Sequence, residues 1–258
     1  MVGSNELLYT DFDGNLIGDP EEMILDGLDD DRHRERVAPL AELLNDGNSS
    51  DQDRLHACLA LVEWAEPVGY AAVRHAALHP RSTPWYGTSV DRFFSVDNTF
   101  GLLADAARAS QDLAQSKGTL DDRTETLRAL IGIADQEYFD SKLEYALDRA
   151  TIAATVDDIR QVVLRGIDTF GVGVGPNFDL GTQLLDLASV LTEDFEDLAV
   201  DLSTELVRAA SSPRMLRHAL TVVHRGHQEA SRTFAEYISM VGGEEISKLV
   251  KEARDRRS

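Results

Sequence analysis

From Arg32 to the end of the chain, apolar residues recur every three to four positions in segment after segment, the period of amphipathic helices. Leu55, Cys58, Leu59 and Val62 make one stripe, Leu127, Leu130, Ile131 and Ala134 a second, and Val156, Ile159, Val163 and Ile167 a third. Others run through Leu143, Ala146, Leu147 and Ala150, through Leu180, Leu184, Leu187 and Leu191, and through Phe195, Leu198, Leu202 and Leu206. The pattern continues from Leu216, Leu220 and Val223 to Phe234, Tyr237, Ile238 and Val241. No long strand pattern competes after residue 20, so a doubly wound α/β organisation is disfavoured and the expected class is all-α.

Stop and start chemistry falls between the stripes. Thr155 followed by Asp158 has the form of a capping box, Ser212 sets a hydroxyl ahead of a first-turn Pro213, and Gly118 after Lys117 reads as a helix end. The first 31 residues form an acidic, irregular segment, residues 32–170 a run of paired helices, and residues 177–258 a helical block continuous with the same domain. The glycine run from Gly171 to Gly181 reads as the connection between the two blocks. It lacks the preceding strand and following Lys-Ser or Lys-Thr of a phosphate loop, and no cofactor is expected.

With 46 acidic against 25 basic residues and a net charge of -21, the chain repels phosphate backbones and anionic lipid, which disfavours nucleic acid and membrane surfaces as direct partners. The same charge can be a salt or genome adaptation, or a field that speeds encounter with a basic protein. No apolar run is long enough to span a bilayer. The lone Cys58 closes no intramolecular disulfide and no leader pattern is read at the start, so a cytoplasmic setting is expected.

The segment DRLHACLALVEWAE from Asp53 lies over DRTETLRALIGIAD from Asp122 with identical Asp, Arg, Ala, Leu and Ala and like-for-like pairs Cys58/Leu127 and Val62/Ile131. Together with RERVAPLAELLND, which carries Pro39, and PVGYAAVRHAALHP, the stretch from Arg34 to Pro80 resembles HEAT repeats, and the resemblance returns over residues 121–168. It implies an α-solenoid of stacked antiparallel helix pairs whose concave face binds another macromolecule.

Four motifs bear on chemistry. LLYTDFDGNL, residues 7–16, resembles the first motif of haloacid-dehalogenase-type phosphatases, which implies a nucleophilic Asp11 and an acid/base Asp13 beside magnesium. Asn15 stands where that family has Thr, and the alternating strands and helices of the family do not follow. The plainer reading is a polar hairpin bent at Asp13-Gly14. A calcium loop through Asp11, Asp13, Asn15, Asp19 and Glu22 has Leu16 where glycine belongs. His218, His224 and His227 lack a fourth ligand at metal spacing, and Cys58 belongs to an apolar stripe.

Pro80 and Pro84 bracket a helix-free segment that carries Trp85 and Tyr86, aromatic residues of the kind that anchor partner interfaces or fold back over helix ends. The expectation is therefore a non-enzymatic protein–protein interaction module, an acidic inhibitor or immunity-type protein for a basic partner, with contacts at Trp85 and Tyr86. The alternative is a magnesium-dependent phosphohydrolase using Asp11 and Asp13. A HEAT-like DNA glycosylase would need a basic concave surface, which the net charge disfavours.

Overall fold

The computed structural model describes residues 4–92, 94–170 and 175–255. The architecture is all-α, divided into two compact units, one ending at Leu130 and the other beginning at Ile131.

The first unit opens with α1 (Ser4–Leu8) and α2 (Pro20–Asp29), then α3 (His33–Asn45), α4 (Asp51–Glu63) and α5 (Pro67–Leu78). A two-residue hairpin follows, β1 (Val90–Asp91) antiparallel to β2 (Val96–Asp97), and then α6 (Thr99–Ala109), α7 (Gln111–Lys117) and α8 (Leu120–Ile131). Helix α4 is the hub, packed by α2, α3, α5 and α6. The sequence stripe predicts one buried face, but surrounded on so many sides α4 buries Ala57, Ala60 and Leu61 as well as Leu55, Cys58, Leu59 and Val62. The approach of α5 depends on Gly69, where a Cβ would lie 2.7 Å from the backbone carbon of Leu61.

Caps explain the ends. Ser50 accepts from the Asp53 N–H at the start of α4, and Gly118, at φ 72°, closes α7 in the left-handed conformation. Between α1 and α2 the acidic segment forms the hairpin expected of it: Thr10 bridges Leu16, the Ile17 N–H donates to Tyr9 O at 3.0 Å, and Gly14 bends the chain at φ 85°.

The second unit comprises α9 (Lys142–Ala146), α10 (Arg149–Thr169), α11 (Leu180–Ser189), α12 (Glu196–Ala210), α13 (Pro213–His218), α14 (Leu220–Arg225) and α15 (Glu229–Asp255), the last kinked at Gly243. Helix α11 is buried along its whole length, against α10, α12 and α13. Ser212 caps α13 as expected, accepting from the Met215 N–H. Gly171–Val174, the core of the glycine run, lie outside the described residues.

Two local expectations are corrected. The stripe from Leu143 to Ala150 is not one helix, because the chain breaks at Leu147 and Asp148 caps α10 by accepting from the Thr151 N–H at 2.9 Å. Thr155 starts nothing: it lies inside α10 and returns its hydroxyl to the Thr151 carbonyl at 2.8 Å. Among the described residues no helix is long and apolar enough to cross a membrane.

Candidate functional site

Asp11 and Asp13 stand at the tip of the N-terminal hairpin. The Asp11 carboxylate accepts from the Asn15 side-chain amide (2.8 Å) and from the backbone N–H groups of Asn15 (2.7 Å) and Asp13 (2.9 Å), which hold its pKa below the usual carboxylate range. Asp13 pairs with Arg32 at 2.8 Å. Arg36 on α3 fastens the hairpin by donating to the carbonyls of Leu7, Thr10 and Asp11 while lying 4.6 Å over the Phe12 ring. Asp19, a member of the calcium-loop reading, caps α2 through the Glu21 N–H. Among the described residues no strand delivers Asp11, since the β-structure beyond one isolated bridge is the β1–β2 hairpin.

No group of three or more His, Cys, Asp or Glu is placed to share a metal ion among the described residues. His218 instead holds Asp186 at 2.8 Å, and the His227 backbone N–H donates to Glu196. Burial raises the Asp186 carboxyl above its ordinary value. Burial, with Asp186 and Asp140 nearby, pushes Glu144 up to about 9. Cys58 is fully buried, and that burial pushes its thiol up to about 12.

Trp85 and Tyr86 part company. Trp85 is 4% exposed, folded back so that it walls a cavity of about 530 Å³ beside α5. Tyr86 is half-buried, with its ring centroid 6.5 Å from that of Phe100. The cavity runs between the end of α3 at Leu44, Arg54 at the start of α4, the α5 face carrying Val68, Ala72 and Ala76, and the Pro84-Trp85 turn. Its polar positions include Arg54, His75 in the last turn of α5 and His79, the residue just past the end of that helix.

A second, smaller cavity of about 150 Å³ lies between α2, α4 and α6. Its walls are apolar, with Ile24, Leu59 and Leu102, and it is edged by the carboxylates of Glu21, Glu63 and Asp105. Glu63 has one carboxyl oxygen, Oε2, that is fully buried and without a hydrogen-bond partner in the structure. Burial, reinforced by Asp105 and Glu21, pushes its carboxyl up to about 7.

Sequence reasoning reaches the Trp85 turn through its bracketing prolines but does not single out Arg54, His75 or Glu63. Their setting depends on which helix lies opposite, and only an unpaired acid inside an apolar stripe, as in LVEWAE, is a local signal for Glu63. Set against protein-family models, curated proteins and solved structures, the chain matches none of them.

Proposed function

We propose that this chain is a non-enzymatic protein–protein interaction module made of HEAT-like helix pairs, an acidic inhibitor or immunity-type protein that captures a basic partner. The observation that carries the reading is the excess of 46 acidic over 25 basic residues, with Glu21, Glu63 and Asp105 grouped on one cavity edge. A field of that sign accelerates encounter with a cationic surface and discriminates against anionic ones. The repeat part of the reading is supported by register: Asp53 and Asp122, aligned in the sequence comparison, are each the third residue of their helices, α4 and α8. The paired positions Cys58/Leu127, Leu61/Leu130 and Val62/Ile131 are all fully buried.

The test begins with bait capture from native lysate at low and high salt, with mass-spectrometric identification of what is retained. The retained protein is then purified and titrated against the wild type and the Glu21→Lys/Asp105→Lys double variant across ionic strength. The reading expects a basic partner whose affinity falls steeply with salt and falls again in the double variant, because surface attraction is screened within about 10 Å at 0.1 M salt. An acidic partner, or an affinity indifferent to both salt and charge reversal, overturns it.

A further inference from the structure

In a chain where acidic residues outnumber basic ones by 46 to 25, the Trp85 cavity has no Asp or Glu in its described lining and carries Arg54, His75 and His79 instead. Its volume, about 530 Å³, lies in the range of small-molecule sites, which are mostly apolar with a few convergent polar groups. Both features set it apart from the smaller cavity of the same unit, which is edged by Glu21, Glu63 and Asp105.

The polar end is only partly satisfied. Arg54 has its side chain 15% exposed; its Nε donates to Leu44 O at 3.0 Å, Nη1 lies 3.5 Å from the half-exposed Asp51 carboxylate, and Asp46 interacts with its charge without a direct contact. A guanidinium offers five N–H donors, so most of those on Arg54 have no partner among the described residues. The apolar end is built by subtraction, with Ala72 and Ala76 leaving room opposite the buried Trp85 side chain. Pro80 and Pro84 limit how far the turn carrying Trp85 can rearrange.

From this arrangement we infer that the Trp85 cavity is a binding site for a small organic anion with a flat apolar body, its charged group held by Arg54 with His75 and His79, and its body seated against Trp85 and the Ala72–Ala76 face of α5. This site is separate from the acidic surface of the proposed partner reading and does not depend on it. A bidentate guanidinium contact fits a carboxylate or sulfonate, and the low exposure of Arg54 strengthens it relative to a surface pair.

The experiment compares two probes that share one aromatic body, 8-anilinonaphthalene-1-sulfonate and the uncharged N-phenyl-1-naphthylamine, by fluorescence titration of the full chain. The sulfonate is expected to bind with one-to-one stoichiometry about tenfold or more tightly than the neutral amine, the size of effect one charge-assisted hydrogen bond carries. Arg54→Met should reduce sulfonate affinity to that of the amine and leave the amine unchanged, which also reports that the variant is folded. Ala72→Trp should fill the cavity and abolish both. Equal affinities for the two probes in the wild type, or sulfonate binding that survives Ala72→Trp in a protein with an unaltered thermal melt, overturns the assignment.

Discussion

Arg54 and Arg123 make the same contact at aligned positions of α4 and α8: each donates its Nε–H to a backbone carbonyl near the end of an earlier helix, Leu44 O at 3.0 Å and Ala107 O at 2.7 Å. A helix ends in carbonyls without intrahelical partners, and a guanidinium arriving from a neighbouring helix satisfies one of them while meeting the negative end of the dipole. Under the repeat reading proposed above, the recurrence is what two drifted copies of one helix-pair unit would retain, because the contact depends on side-chain reach and register more than on the rest of the sequence.

The two contacts differ in burial, and the difference sets a ranking. Arg123 is 1% exposed, so Arg123→Met removes a buried charge-assisted bond and leaves the Ala107 carbonyl only the Ser110 hydroxyl at 2.9 Å, which should cost about 2–3 kcal/mol. Arg54 is more accessible, and Arg54→Met should cost about 1 kcal/mol. Urea unfolding of the two variants decides it, and a larger loss at Arg54 would contradict the burial argument.

At Gly27, on α2, two effects oppose each other. Alanine is preferred over glycine inside a helix by about 1 kcal/mol. A Cβ there, however, would lie 2.4 Å from Nε1 of the fully buried Trp64, which donates to Ile24 O at 2.9 Å. Overpacking of that kind costs about 1–3 kcal/mol, and loss of the indole hydrogen bond adds about 1 kcal/mol. Gly27→Ala should therefore be net destabilising by about 1–3 kcal/mol, with a red shift in the native tryptophan emission as Trp64 is displaced. A more stable variant with unshifted emission would show that α2 slides without penalty.

Glu63 links stability to pH. Its folded carboxyl is raised from the ordinary 4.5 to about 7, so between those values the folded state binds the proton that the unfolded chain has released. The contribution is fully present at low pH and is lost as pH rises through that window. A shift of that size corresponds to at most about 3 kcal/mol. Glu63→Gln, neutral throughout, should match wild type near pH 4 and exceed it in stability by a growing margin toward pH 8. Parallel melting curves for the two proteins across the whole range would remove the assignment.

Helices were legible wherever one local rule sufficed. The stripes at Leu55–Val62 and Leu180–Leu191 needed only period, and Ser212 and Gly118 needed only their own capping chemistry. The start of α10 was not legible in the same way, since Thr155 and Asp148 both carry capping oxygens and the choice falls to the break at Leu147. The cavities were less legible still. Prolines announced the turn at Trp85, but the turning inward of Trp85, the solvation of Arg54 and the burial of Glu63 follow from α5, α3 and α6 lying opposite, which are contacts between residues distant in sequence.

Cys58 should be silent to thiol reagents in the native protein. It is fully buried and its thiol is pushed up to about 12, so the reactive thiolate is scarce at neutral pH and shielded from reagent. Reaction with 5,5′-dithiobis(2-nitrobenzoate) should proceed only at the rate of unfolding and become rapid in denaturant. Prompt stoichiometric labelling of the folded chain would mean that α4 opens readily.

Gln183, inside the Leu-rich stripe of α11, organises a loop in the second unit. Its amide donates to Ala134 O at 2.7 Å and Glu137 O at 2.9 Å, and its carbonyl oxygen accepts from the Phe139 N–H at 2.9 Å, all in the interior. Gln183→Leu preserves volume but removes three buried hydrogen bonds to the backbone, a loss of about 3 kcal/mol. Gln183→Glu separates hydrogen bonding from packing: ionised, it keeps the bond from Phe139 but faces two carbonyls with no donor, while protonated it regains one. Its deficit relative to wild type should therefore shrink as pH falls toward the ordinary carboxylate range, whereas the deficit of Gln183→Leu should not follow pH in that way. If both deficits move in parallel with pH, the side chain is filling space and the loop is held by other contacts.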